Sequence, residues 1–91
     1  MKSILQTEKQ CYICGAKFVH CHHIFGGPNR SLSEQYGLKL WLCPRHHTGP
    51  DGVHQNPKLM KKLRKLGQRA FERAYPDLDF LSIFGRDYSN E

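Results

Sequence analysis

Two pairs of metal-ligand residues are the first feature of this sequence that can do chemistry. Cys11 and Cys14 are separated by two residues, and Cys43 and His46 repeat that spacing further along the chain. Zinc takes four such ligands in a tetrahedron, and a two-residue gap lets both side chains of a pair reach one ion. The two pairs therefore predict a structural Zn²⁺, and four protein ligands leave it no open position for catalysis.

Two neighbouring residues leave alternatives for this ligand set. His47 directly follows His46 and is the alternative fourth ligand, but His46 keeps the two-residue gap and is preferred. Cys21 lies outside both pairs, and we expect a small buried residue or an exposed thiol there rather than a fifth ligand. The zinc would join the start of a first strand to the end of a second, and its binding would add to the folding free energy.

Many histidines remain once the zinc site has taken one of the six. They are His20, His22, His23, His47 and His54. Neighbours on a strand point to opposite faces, but at a strand end or a bulge His22 and His23 can both reach one site. One imidazole can then bind a metal ion while the other takes a proton from water. Phosphodiester hydrolysis requires both of these roles.

The composition favours a polyanionic partner. Lys and Arg number 14 against 8 Asp and Glu, for a net charge of +6, and nucleic acid is the usual partner of such a protein. No apolar run is long enough to cross a membrane, so no membrane partner is expected. Residues 1–10 lack the apolar stretch of a signal peptide, so we expect a cytoplasmic protein whose thiols stay reduced.

The elements that must position these residues follow from local patterns. We expect one domain over residues 1–91, with the metal ligands in 11–54 and a helical part in 56–85. The patterns predict a strand over 16–25, a loop over 26–29, a capping box at 31–34 that starts a helix ending at Gly37, a strand over 38–42 and a loop over 48–52. The predicted fold class is therefore α+β.

A long amphipathic helix is predicted next. Asn56 can cap it, Pro57 suits its first position, and Tyr75 before Pro76 ends it. Its apolar stripe is Leu59, Leu63, Leu66, Ala70 and Ala74, and its basic face is Lys58, Lys61, Lys62, Arg64, Lys65, Arg69 and Arg73. After it, residues 78–84 form a short apolar segment between a capping Asp77 and Gly85.

Basic side chains near these elements are candidates for contacts with DNA phosphates. The candidates on the basic face of the long helix are Lys61 and Lys65. Arg30, which follows the loop over 26–29, and Arg45, inside the second zinc pair, are the other two. No motif indicates base-specific recognition, so phosphate-directed or structure-directed binding is expected.

The metal-ligand pattern resembles the zinc-containing branch of the HNH endonucleases, which have the ββα-metal fold. The resemblance is carried by Cys11 and Cys14, by His22-His23-Ile24 and by Leu42-Cys43 with His46-His47. Further runs, Phe25-Gly26-Gly27, Tyr36-Gly37-Leu38 and Gly52-Val53-His54, are similar to small members encoded by phages or prophages. The resemblance implies a zinc-stapled ββα-metal core, followed by a basic helix and a short C-terminal helix. It also implies a metal-dependent endonuclease that nicks DNA.

The resemblance also implies roles for individual histidines. It makes His23 the general base that activates water, and His22 and His47 ligands of a catalytic divalent ion, Mg²⁺, Mn²⁺ or Ni²⁺. The last ligand of the family often lies four residues after His47, which here is Asp51. A glycine–proline pair in between disfavours an unbroken helix, so His54 is preferred as the last ligand and Asp51 is the alternative.

One part of the family pattern is missing. An asparagine that orients the base histidine normally precedes the second strand, where this chain has Gly37-Leu38. Asn29 could serve from the preceding loop, or backbone groups could replace it. This departure favours an alternative of another class, a catalytically inactive zinc-stabilised DNA-binding module, whereas the surplus histidines favour the enzyme.

A third reading is a phage accessory protein that docks on another protein through residues 78–84. We expect that segment to be core instead. Whichever reading holds, a phage-encoded protein is expected in the host cytoplasm. The sequence leaves the oligomeric state open.

Overall fold

Two short antiparallel strands form the sheet of the computed structural model, which describes residues 2–89. The strands are β1 (His20–His23) and β2 (Lys39–Leu42), and the helices are α1 (Arg30–Tyr36), α2 (Pro44–His47), α3 (Pro57–Ala74) and α4 (Phe80–Phe84), with a 3-10 turn at Gly27–Asn29 before α1. The domain is therefore α+β, as the sequence predicts. Across residues 2–89, no helix is long and apolar enough to cross a membrane.

The register of the hairpin separates the histidines of β1 onto two faces. His20 pairs with Leu42 and His22 with Leu40, so these four side chains share one face. Leu40 and Leu42 are buried, and His22 is only 4% exposed. The opposite face carries Cys21 and His23 on β1, opposite Trp41 and Lys39 of β2.

The first strand is shorter than the predicted 16–25. At the start of the predicted range the backbone forms a turn, in which the carbonyl of Ala16 accepts a hydrogen bond of 2.8 Å from the amide of Cys11. After its end the amide of Phe25 donates to Oγ of Ser33 at 3.0 Å. Both ends are thus diverted from strand pairing by hydrogen bonds that the periodicity of residue types does not reveal.

The helix α1 ends as predicted but does not begin with the predicted capping box. It starts at Arg30 after Asn29, without a side-chain cap. Ser33 instead lies buried, with its hydroxyl bonded to the backbone of Phe25, and Glu34 points towards β1 and β2. Gly37 ends the helix in the left-handed conformation at φ 72°.

The helix α3 packs its apolar stripe against the hairpin and the C-terminal residues. The side chain of Asn56 accepts hydrogen bonds from the amides of Lys58 and Leu59, which confirms the predicted cap. Leu63 and Phe71 are almost fully buried. Near the end of α3, the buried Gln68 accepts a hydrogen bond from the amide of Tyr88 at 2.7 Å, and this bond fastens the C-terminal segment to the helix.

The last helix is shorter than the predicted 78–84 and has a different start. It runs over Phe80–Phe84 with Asp79, not Asp77, at its N-terminal boundary, and Gly85 ends it. Phe80 and Phe84 stack at 4.4 Å between ring centroids and are buried, so this part is core. Leu78 and Leu81 remain exposed, because the rings of Phe80 and Phe84 define the inward face.

Gly37 provides a test of how α1 is joined to β2. Replacement by Ala would place Cβ 2.5 Å from the carbonyl oxygen of Lys2, at a φ that L-residues rarely adopt. Gly85 has a similar φ of 80° but open space around it. We expect Gly85→Ala to cost about 1 kcal/mol from backbone strain alone, and Gly37→Ala about 1–3 kcal/mol more from the steric clash.

The measurement is urea denaturation of the two single variants beside the wild type. Equal losses of unfolding free energy in the two variants would show that the N-terminal segment at Lys2 does not pack closely against Gly37.

Candidate metal centres

The side chains of Cys11, Cys14, Cys43 and His46 form a Cys3His metal-binding cluster. Their ligand atoms all lie within 4.8 Å of one another. Sγ of Cys14 is 3.6 Å from Sγ of Cys43, and Nδ1 of His46 is 3.2 Å from Cys43 and 3.8 Å from Cys11. Zinc bonds of about 2.0–2.3 Å in a tetrahedron require ligand separations of about 3.3–3.8 Å. The cluster therefore fits a structural Zn²⁺.

Local backbone geometry brings the two pairs together. Gly15 at φ 78° turns the chain directly after Cys14, and Cys43 stands just before α2, which carries His46. A hydrogen bond of 2.8 Å from the amide of Tyr12 to the carbonyl of Trp41 joins the turn to β2. The cluster thus links the chain before β1 to the chain after β2, as predicted from the spacing.

The surroundings of the cluster favour a thiolate at Cys11, whereas the neighbouring thiols Cys11 and Cys43 contribute to raising the pKa of Cys14. Burial opposes ionisation of Cys11, but hydrogen bonds from the backbone of Cys43, Cys14 and Ile13 outweigh it and lower the pKa of Cys11 to about 6. Zinc binds the thiolate form, so little free energy is needed to remove the proton near neutral pH. Cys21 lies outside the cluster, half-buried on the opposite face of β1.

A second group of possible ligands consists of three histidines from three parts of the chain. His22 lies on β1, His47 is the last residue of α2, and His54 follows the turn after it. One nitrogen of each lies within 4.8 Å of those of the others. Among the described residues, Nε2 of His22 has no hydrogen-bond partner although it is buried. A buried nitrogen of this kind requires an acceptor, a donor or a metal ion, and the other two imidazoles make a metal ion the best fit.

The zinc cluster and a close backbone contact position two of these histidines. His47 directly follows the zinc ligand His46, whose carbonyl accepts a hydrogen bond from the amide of Val53 at 2.9 Å. A Cβ on Gly52 would lie 2.6 Å from the carbonyl oxygen of His47, so only glycine permits this close return of the chain. The buried Val53 then anchors His54 beside His47.

Burial and neighbouring positive charges lower the pKa values of two of these histidines, His22 and His47. Burial, followed by the charges of His47, His54, His23 and Arg64, lowers the pKa of His22 to about 4. Burial also lowers the pKa of His47, with smaller contributions from neighbouring histidines. Neutral imidazole is the form that binds metal, so protons do not compete with an ion for His22 near pH 7.

His23 lies outside the group of three, and its Nε2 joins a hydrogen-bonded chain of side chains. Its Nε2 lies 3.0 Å from Oε1 of Glu34, and Oε2 of Glu34 accepts a hydrogen bond of 2.6 Å from Nζ of Lys39. Hydrogen bonds from Lys39 and then from His23 hold the pKa of Glu34 well below its usual range. Glu34 is therefore a carboxylate that orients the imidazole of His23.

Sequence reasoning missed Glu34 because its position suggested a helix cap. Asn29, considered for the orienting role, instead donates a hydrogen bond of 3.1 Å to the carbonyl of Phe84 and ties the loop to α4. The signal that could have revealed Glu34 is its place on a short helix between two strands, which turns its side chain towards both.

The structure separates the remaining candidate residues. Asp51 forms an exposed ion pair of 2.9 Å with Arg45 and does not belong to the histidine group, whereas His54 does. Nδ1 of His20 is 3.4 Å from Nδ1 of His47, outside the group of three. Arg30 lines a cavity together with His23 and Glu34. Lys61 and Lys65 line a groove on α3 with Lys58, Lys62, Leu66 and Arg69.

The zinc assignment predicts opposite behaviour for two cysteines. Cys14→Ser should lower bound zinc from one per chain towards zero and strongly destabilise the domain, because removal of one ligand weakens the joint between the two pairs. Cys21→Ser is the matched control and should keep one zinc per chain. Metal analysis gives the zinc content of both variants, and thermal unfolding gives their stability. Full zinc retention by Cys14→Ser would contradict the assignment.

The lowered pKa of His22 predicts a pH dependence of stability. The unfolded chain binds a proton at His22 near pH 6.5, whereas the folded chain resists it until about pH 4. Stability is therefore unaffected by this group above pH 6.5 and falls as the pH drops below that value. Between pH 7 and pH 5 the wild type should lose about 2 kcal/mol more than His22→Gln.

Denaturant titrations at both pH values, on protein carrying one zinc and no added divalent ion, measure this difference. Equal losses in the two proteins would mean that His22 is accessible to protons in the folded state.

Comparisons of the chain with protein-family models, curated proteins and solved structures find no match. The structure itself shows a small α+β domain with a two-stranded hairpin and a Cys3His metal-binding cluster.

Proposed function

We propose that this protein is a metal-dependent endonuclease of the zinc-containing HNH type that hydrolyses phosphodiester bonds of DNA. One observation carries the proposal: His22, His23 and His54 line a single open cleft of about 370 Å³. The cleft therefore combines an oriented imidazole with imidazoles that can hold a metal ion. The hairpin followed by α2 is compatible with a ββα-metal core.

His23 is the general base in this proposal. Its Nε2 faces the carboxylate of Glu34, so the neutral tautomer carries the proton there and leaves Nδ1 free to accept a proton from water. When the imidazole becomes positively charged, the carboxylate of Glu34 stabilises it, in the manner of the aspartate of a catalytic triad. Lys39 holds the other oxygen of Glu34 and limits rotation of the carboxylate.

His22, His47 and His54 are the proposed ligands of one divalent ion. Such an ion, when bound, supplies positive charge that stabilises the phosphate oxygens in the transition state and the leaving oxygen. Imidazole ligands favour Mn²⁺ or Ni²⁺, and Mg²⁺ is the abundant cellular ion although it prefers oxygen ligands. Three protein ligands leave positions open for phosphate and water.

The partner is proposed to be DNA because of where the positive charge lies. The groove on α3 carries Lys61 and Lys65 among other exposed basic side chains, which suits contacts with backbone phosphates. Arg30 borders the cavity beside His23, whereas the charge of Arg45 is partly offset by its ion pair with Asp51. One active site per chain predicts nicking of one strand.

The proposal predicts that His23→Ala loses nicking of supercoiled plasmid. Wild-type protein should convert plasmid to open circles with Mg²⁺, Mn²⁺ or Ni²⁺ and not with EDTA. His23→Ala should be slower by about 100-fold or more, because no other group replaces the base. Cys21→Ser, altered on the same strand but on no metal ligand, should retain activity, and zinc content should stay at one per chain in both variants.

Two outcomes would contradict the proposal in different ways. Undiminished activity of His23→Ala would remove His23 from the mechanism. Absence of nicking with every metal, together with salt-sensitive DNA binding, would identify a zinc-stabilised DNA-binding module instead.

A further inference from the structure

Arg64 differs from the other basic residues of α3 because it lines the histidine cleft. The neighbouring basic side chains border the outer groove, whereas Arg64 lies beside His54, Met60 and Tyr88 in the cleft that holds His22 and His23. Its guanidinium lies 5.3 Å from the centre of the Tyr88 ring. This contact holds the guanidinium against the Tyr88 ring, which lines the same cleft.

The hydrogen-bonding capacity of Arg64 is not used up by the protein. Within residues 2–89, its Nε is buried and has no hydrogen-bond partner. The described residues that line the cleft include no carboxylate. A buried guanidinium nitrogen without an acceptor is unfavourable, and the missing acceptor is most simply an anion that enters the cleft.

The chemistry of the site specifies the anion. Arginine presents two parallel N–H groups that match two oxygens of a phosphate, and its charge persists at every physiological pH. A phosphate near His22 and His54 would also lie within reach of the ion that these residues are proposed to hold. The positive charge of Arg64 contributes to the low pKa of His22, as expected for neighbouring groups in one cleft.

We infer that Arg64 is a catalytic residue that binds oxygens of the scissile phosphate of DNA. The inference rests on the proposed nuclease function and adds a residue to it. As the water oxygen bonds to phosphorus and the P–O bond to the leaving deoxyribose oxygen breaks, Arg64 would compensate the charge that grows on the phosphate oxygens. His23 would take the proton of the attacking water, and the leaving oxygen would take a proton from solvent. Tyr88, which also contacts Arg86, would hold the guanidinium in place.

The first test compares plasmid nicking by three variants at saturating DNA and metal. Arg64→Ala should lower kcat by about 100-fold, the usual effect of losing one transition-state donor. Arg64→Lys should recover only part of this loss, because lysine keeps the charge but not the two-pronged geometry. Arg73→Ala removes the same charge from an exposed position near the end of α3, outside the groove of Lys61 and Lys65, and should leave kcat at saturating DNA unchanged. Zinc content and thermal midpoints confirm that each variant is folded.

A second readout does not depend on activity. Inorganic phosphate is titrated into zinc-loaded wild-type protein while the Nε–H resonances of the arginine side chains are followed by NMR. The Arg64 resonance, identified by its loss in Arg64→Ala, should shift in a saturable manner, whereas that of Arg73 should not.

The outcomes separate the inference from the function on which it rests. Nicking by wild type and Arg64→Ala at similar rates overturns the role of Arg64 and leaves the nuclease intact. A shifting Arg64 resonance without any nicking overturns the nuclease and supports an anion site at Arg64. A resonance that does not move overturns the inference even where Arg64→Ala is slow, because the slow rate would then reflect altered packing.

Discussion

The Cys3His cluster, which fits a structural Zn²⁺, is the constraint on which the rest of this structure depends. The sheet has only two strands of four residues each, too little to hold its own ends together. The cluster joins the chain before β1 to α2, and α2 carries both the zinc ligand His46 and the neighbouring His47. One ion would therefore stabilise the hairpin and also fix the positions of the histidine group. In a chain of 91 residues this coordination would replace part of the hydrophobic packing that positions such residues in larger domains.

The parts of the fold that sequence predicts well are those governed by local rules. Two-residue spacings indicate the Cys3His cluster because chelation depends on a few neighbouring residues. The boundaries of α3 follow from Asn56 and Pro57, whose capping chemistry is local as well, and Gly37 ends α1 because only glycine adopts its backbone conformation cheaply. In each case the physical cause lies within one turn of the residue that reveals it.

The parts that sequence does not predict depend on contacts between distant segments. The length of β1 is set by hydrogen bonds to the turn at Cys11 and to Ser33, and the start of α4 by the packing of Phe80. Glu34 resembles a helix cap in sequence, yet its strongest partners are on both strands. Arg64 has the pattern of a solvated helix face, and only the three-dimensional position of Tyr88 reveals that it turns inward. Residue types alone do not specify such partners.

The surroundings of the histidines explain how one small cleft would hold both the proposed base and the proposed metal ligands. Nε2 of His23 faces the carboxylate of Glu34, whereas burial and neighbouring positive charge disfavour protonation of His22. Two adjacent residues of one strand thus meet different surroundings because alternation directs their side chains differently, yet at the strand end both line the same cleft. In the proposed function the two imidazoles of the His22-His23 pair would take different roles, and the carboxylate beside His23 and the burial of His22 would decide which imidazole takes which role.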